Sequence, residues 1–255
     1  MRKLLTGLIA VLGMAATSPA FAGTNNAVFV SGAGTDTGIC NDKSVACRTL
    51  AYAYSQTTTS SPVFIFVLDP DLAGPLTITK PTYILGLSPG SALAVQSGDM
   101  FTVAAGTSDP VTIIGLQLVT LPGSQNNALN IQSAGTVTLD HVSISGFGNA
   151  AINLVPTAGS VRLTVKSGFI HDNLNGVLLG SNGGSSHLKM FDSIVLSNTN
   201  AGVAVTGSGN NALFSNTQLL GSTYALELLS GAQATSYGNN VITNGNAPTQ
   251  VLPLQ

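Results

Sequence analysis

Leu163-Thr-Val-Lys166, Phe169-Ile170, Asp172-Asn-Leu-Asn175 and Gly176-Val-Leu-Leu179 follow one another in the middle of the chain. The next stretch repeats them as Leu188-Lys-Met-Phe191, Ile194-Val195, Ser197-Asn-Thr-Asn200 and Gly202-Val-Ala-Val205. Working outward, the same three strand types recur every 23 to 26 residues from about residue 100. Earlier copies include Val111-Thr-Ile-Ile114, Leu116-Gln-Leu118, Ala128-Leu-Asn-Ile131, Val137-Thr-Leu-Asp140 and Val142-Ser-Ile144. Later ones are Ala212-Leu-Phe-Ser215, Gln218-Leu219 and Ala225-Leu-Glu-Leu228. Self-similarity at a period of roughly 20–50 residues marks a solenoid. Alternation inside each strand has period two, and no helical pattern separates the strands, which argues against βαβ units. Leucine-rich repeats share the period but need a leucine spacing that is absent here. The reading is all-β: a right-handed three-sided parallel β-helix of about six or seven coils.

The turns carry the same message. Val137, Leu139, Val142 and Ile144 read as inward-facing, and Asp140-His141 between them breaks the alternation, as a sharp bend would. Gly146-Phe-Gly-Asn149, Asp172-Asn-Leu-Asn175 and Ser197-Asn-Thr-Asn200 follow the third strand of their coils. Asn and Gly tolerate the left-handed backbone that tight bends need. Asn149, Asn173, Asn175, Asn198 and Asn200 are therefore read as structural, with Asn173 stacked on Asn198 and Asn175 on Asn200. At the N-terminal end, residues 48–57 carry the one credible helix after the leader, with Leu50, Ala53 and Tyr54 on one face. It is expected to cap the open core, with Val63-Phe-Ile-Phe-Val-Leu68 as the first buried strand. The expected domain is 23–255: an N-terminal cap over about 23–62, coils over about 63–245 and a tail over about 246–255.

Charged residues make up only 7% of the chain, against about 25% in a typical soluble domain. The polar surface must come from Ser, Thr, Asn, Gln and Gly. Arg2 and Lys3, an apolar run over 4–16 and the small-x-small site at Ala20-Phe-Ala22 read as a secretory signal peptide over residues 1–22. Its removal leaves six basic against ten acidic side chains. There is no basic footprint for a nucleic acid, and no later apolar run is long enough to span a membrane. The expected location is secreted or periplasmic. In an oxidising compartment Cys40 and Cys47 are expected to form a local disulfide.

Val30-Ser-Gly-Ala-Gly-Thr-Asp36, the two cysteines, Cys47-Arg-Thr-Leu-Ala-Tyr-Ala53, Leu68-Asp-Pro70 and Leu76-Thr-Ile-Thr-Lys80 resemble the opening of bacterial right-handed β-helix repeat proteins. These are exported members of the pectin-lyase-like superfamily. Asp71 stands where that pattern has Gly after the proline. With the repeats, the resemblance covers about residues 27–245. It implies a fold and an exported location, not one activity, because the scaffold hosts many.

Carboxylates are scarce. Asp140, Lys166 and Asp192 are spaced 26 residues apart, near one coil period, and coils stack about 4.8 Å apart. They are the candidate catalytic ladder, a lysine base between two carboxylates, with His141, His171 and Asp172 as candidate ligand-binding neighbours. A plain surface ion-pair ladder is the competing reading of the same residues. No metal ligands are assigned and no cofactor is expected, calcium being the candidate if the chemistry is lyase-like. There is no Trp and aromatic residues total 5%, so no sugar-stacking platform is evident. The leading expectation is an exported non-catalytic interaction or structural protein, whose uncharged faces contact a polysaccharide, the cell envelope or a protein surface. The competing one is a lyase or glycoside hydrolase acting on acidic polysaccharide. No oligomeric state follows.

Overall fold

The computed structural model describes residues 26–253 except 59–61, 73, 89, 122, 124 and 125. The expected signal peptide, 1–22, lies outside the described residues. The chain winds as a three-sided parallel β-solenoid of about seven turns. Sheet 1 has ten strands, from Ala27–Val30 to Gln250–Leu252. Sheet 2 has eight, from Asp71–Leu72 to Val241–Ile242, and sheet 3 has seven, from Leu76–Ile78 to Tyr224–Leu229. Each complete coil contributes one strand to each sheet, the terminal coils contribute to fewer, and neighbours pair in parallel.

The repeat units align in register. Val111, Val137, Leu163, Leu188 and Ala212 pair in sequence along sheet 1. Leu118, Ile144, Ile170, Val195 and Leu219 do so along sheet 2, and Leu129, Ile152, Val177, Val203 and Leu226 along sheet 3. All of these are buried. Each side chain taken from water contributes about 1.5–3 kcal/mol, and the stacked layers form one continuous core. In the last five sheet 3 strands the second residue is small (Ala128, Ala151, Gly176, Gly202 and Ala225), because the coils approach there. A Cβ on Gly202 would lie 2.6 Å from the Ala225 carbonyl oxygen.

The bend between sheets 1 and 2 places one residue per coil at positive φ: Gly115, His141, Ser167, Asp192 and Asn216. The bend between sheets 2 and 3 does the same with Gly146, Asp172, Ser197 and Gly221. Here the expected role of the Asn-rich bends is corrected. In the three bends concerned, left-handed backbone falls on Gly146, Asp172 and Ser197, while Asn173 and Asn198, one residue after Asp172 and Ser197, turn inward to hydrogen-bond. Asn173 Nδ2 donates to Asn198 Oδ1 (3.0 Å), and Asn200 Nδ2 donates to Asn175 Oδ1 (2.9 Å). Asn149 Nδ2 donates to Asn127 Oδ1 (2.9 Å), and Asn175 Nδ2 to the Asn149 carbonyl (2.9 Å).

The helix is Leu50–Ser55, with Leu50 and Ala53 buried against the first strands. Two expected boundaries move. Strand Ala27–Val30, placed by sequence inside the cap, already pairs with Val63–Val67 in sheet 1. The expected tail contains strand Gln250–Leu252, which pairs with Gln233–Tyr237. Strand Val63–Val67 is buried only on alternate residues: Val63, Ile65 and Val67 point in, and Phe64 and Phe66 point out. Cys40 and Cys47 form a disulfide, with Cα atoms 5.4 Å apart.

Candidate functional site

Alternation turns every second residue of a sheet 1 strand outward, and parallel register stacks those residues into columns. One column runs Phe64, Tyr83, Thr112, Thr138, Thr164, Lys189, Leu213. The next runs Phe29, Phe66, Leu85, Ile114, Asp140, Lys166, Phe191. Outer-face character therefore changes along the axis, from aromatic through threonine and aliphatic to charged.

The charged end holds part of the expected ladder. Asp140 pairs directly with Lys166 in register, and Lys166 Nζ stands 4.0 Å from Asp140 Oδ2. The other oxygen, Oδ1, lies 2.7 Å from His141 Nδ1. Asp192 is not in this column. Phe191 is the register partner of Lys166, and Asp192 occupies the positive-φ bend position that His141 and Ser167 occupy in earlier coils. Its Oδ1 accepts a hydrogen bond from Asn216 Nδ2 (2.8 Å). The 26-residue spacing overshoots because that coil is 25 residues long: Leu163 pairs with Leu188.

His171 and Asp172 form a separate pair, Nδ1 to Oδ2 2.8 Å. His171 pairs with Ser145 and Leu196 on sheet 2, so its side chain projects from a different face. It stacks on Phe169 with ring centroids 4.1 Å apart. Asp140, His141 and Lys166 thus come together; Asp192 and the His171–Asp172 pair do not join them. Among the described residues, no three His, Cys, Asp or Glu side chains gather as a metal site.

Arg162 and His187 are register partners on the outer face, beside the Thr164–Lys189 column. His187 lies within strand Ser185–Phe191, with Nδ1 3.1 Å from Asn211 Oδ1. Arg162, Lys166 and Lys189 therefore share two neighbouring strands. An open cleft of 580 Å³ borders this face at the first bend, with Gly86, Gly115, Gln117, His141 and Ser143 in its lining.

The motif residues at the N-terminal end build the cap. Asp69 accepts from Ser31 Oγ (2.7 Å) and from the Gly32 N–H (2.6 Å). Asp36 accepts from the backbone N–H groups of Arg48 and Thr49 and from the Thr49 hydroxyl. Asp71, where the family pattern has Gly, is an ion-pair partner of Arg48 (3.4 Å). Behind the helix, Lys80 Nζ stands 4.4 Å over the Tyr54 ring, and burial holds its pKa below the usual lysine value.

Composition concealed the aromatic end of the face. Phe29 and Phe66 stack with centroids 5.1 Å apart, and Phe64 and Tyr83 with centroids 5.0 Å apart. All four rings are partly exposed, Phe64 at 36%. The sequence signal for the phenylalanines was faint: Val28-Phe-Val30 and Val63-Phe-Ile-Phe-Val67 alternate aliphatic with aromatic residues, but every one of them is apolar.

Comparison with known proteins finds no matching family model, no matching curated protein and no matching solved structure.

Proposed function

We propose that this chain is an exported, non-catalytic interaction protein that lays an extended envelope polymer or glycan along the outer face of sheet 1. One observation carries the reading. That face runs open across ten parallel strands, roughly 40 Å at the usual strand spacing. Along it, ordered columns of rings, threonines and cations replace the random polar cover of an inert surface. Arg162, Lys166 and Lys189 supply half of the six basic side chains that follow residue 22, and they share neighbouring strands. The Cys40–Cys47 disulfide supports an oxidising compartment. The opening motif, with Ser31 and Asp36 tied into the cap, supports kinship with the exported pectin-lyase-like β-helix proteins.

Retention of the purified chain on immobilised glycan and envelope fractions tests the reading. Retention without product release is the expected result. No retention on any fraction overturns it.

The enzymatic reading has one observation in its favour, the contact of Asp140 with both His141 and Lys166. It lacks the second carboxylate at that place, because Asp192 is held by Asn216. Release of unsaturated uronides from an acidic polysaccharide in calcium, abolished by Lys166→Ala, would establish it in place of the binding role.

A further inference from the structure

We propose that Phe29, Phe64, Phe66 and Tyr83 form a docking array for uncharged hexose rings of a linear polysaccharide. This rests on the reading that the outer face of sheet 1 binds glycan, and it names the unit taken by the N-terminal end of that face.

The rings do not serve the core. Val28, Val30, Val63, Ile65, Val67 and Ile84 fill it from the same strands, while the aromatic side chains are directed to the opposite surface. They fall in two adjacent columns, each with two rings stacked coil on coil. The result is a staggered apolar array across three strands, with the Phe29–Phe66 pair one coil ahead of the Phe64–Tyr83 pair, on an outer surface where polar residues are the default.

Area and charge select the occupant. A whole aromatic side chain buries about 150–250 Å², and these four are already partly covered. The array therefore offers too little for a stable protein interface, which needs about 800 Å² from each partner. The two columns carry no carboxylate, ammonium or guanidinium until Asp140 and Lys166. Between lie Leu85, Ile114, Thr112 and Thr138. Such a surface complements a neutral ligand with an apolar C–H face and hydroxyl edges. Sugar rings present both. The Thr112–Thr138–Thr164 column prolongs the Phe64–Tyr83 column with hydroxyls that donate and accept. The coil spacing of about 4.8 Å is close to the length of one pyranose unit. A chain laid along the solenoid axis thus meets the same column once per sugar.

The test titrates the full chain by calorimetry with two probes, a linear neutral glucose oligosaccharide and an acidic oligouronate. The variants are Phe64→Ser with Tyr83→Ser, and Phe64→Leu with Tyr83→Leu, which keeps apolar bulk and removes the rings. Thermal melts establish that each variant is folded. Perturbation of the Tyr83 ring protons in the unaltered chain gives a readout that needs no variant. The expected result is binding of the neutral probe with Tyr83 shifts, weakened about tenfold or more in both variants, with oligouronate binding unchanged. Oligouronate binding with no response to the neutral probe overturns the array and leaves the wider reading standing. No response to either probe overturns the array, and the wider reading falls with it when no immobilised glycan or envelope fraction retains the chain. Neutral binding unaffected by the variants, or a dimer that they dissolve, also overturns the array.

Discussion

Asn173 sits where hydrogen-bonding groups of three successive coils meet. Its Oδ1 accepts from the Phe147 N–H (3.0 Å), and its Nδ2 lies within reach of the carbonyls of Ile144 and His171 and of Asn198 Oδ1. Asn198 repeats the arrangement one coil on, accepting from the Asn173 N–H and reaching the Ile170 and Leu196 carbonyls. The ladder then changes residue type. Leu196 pairs with Leu220, so Ser222 occupies the next rung, and its buried hydroxyl has no hydrogen-bond partner. Serine is one reach too short for the amide geometry. Ser222→Asn is expected to raise stability by about 1 kcal/mol by adding the missing bonds. An unchanged or lower melting temperature would refute that. Asn173→Ala works the other way. It strands the Phe147 N–H and a buried carbonyl, each costing about 1–3 kcal/mol, and chemical denaturation should show a loss of at least about 2 kcal/mol. The candidate site obeys the same arithmetic of rungs. The single-residue difference between a 26-residue and a 25-residue coil moves Asp192 from a column into a bend.

At the scale of elements, the helix Leu50–Ser55 depends on its N-terminal contacts. It is too short to persist alone, since isolated helices below about 12–15 residues are marginal. Thr49 Oγ1 accepts from the Tyr52 N–H, and the Asp36 carboxylate binds the Thr49 hydroxyl and two backbone N–H groups just before the helix. Asp36→Ala should cost about 2 kcal/mol, as losing a cap does at its upper range. It should also speed amide exchange in the helix and strand Ala27–Val30 more than in the middle coils. Uniform exchange across all coils would contradict a local cap. This helix, the three strands per coil and their register were legible in sequence because each is a local pattern repeated at a fixed period. So was the displacement of Asp192, since aligning Leu163-Thr-Val-Lys166 with Leu188-Lys-Met-Phe191 sets Phe191, not Asp192, opposite Lys166. The strand ends and the ring array were not, because they depend on which face each residue of an apolar run takes. Phe64 and Phe66 illustrate the point: an unbroken apolar run, Val63 to Leu68, reads as wholly buried until its inward and outward halves are separated.

Over the whole molecule, a parallel solenoid has two ends where strands lack partners, and unpaired edges invite self-association. At each end the chain itself meets part of the exposed edge. At the first end, the disulfide loop lies on strand Ala27–Val30: the Phe29 N–H donates to the Cys40 carbonyl (2.8 Å), and the Cys47 and Ser31 N–H groups donate to the carbonyls of Phe29 and Cys47 (2.9 Å each). At the other end, Asn244 and Asn246 stand in for an eighth strand of sheet 3. Asn244 Oδ1 accepts from the Ala225 N–H (3.1 Å) and Asn246 Oδ1 from the Leu228 N–H (2.7 Å), while the Asn244 carbonyl takes the Leu226 N–H (3.3 Å). The last strand of sheet 1 is only three residues long and runs into Pro253, which cannot donate to a further strand. Replacing both side chains, Asn244→Ala with Asn246→Ala, frees the Ala225 and Leu228 N–H groups on the edge strand Tyr224–Leu229. Sedimentation velocity should then show concentration-dependent association along the axis, absent from the unaltered chain. Cleaving the Cys40–Cys47 bridge should have a smaller effect of the same kind at the opposite end. Closing so short a loop contributes only about 2–3 kcal/mol, and the three backbone bonds to Phe29 and Ser31 remain available. A double variant that stays as monodisperse as the parent would mean that the end of sheet 3 is protected by packing of the last coil rather than by its two asparagines.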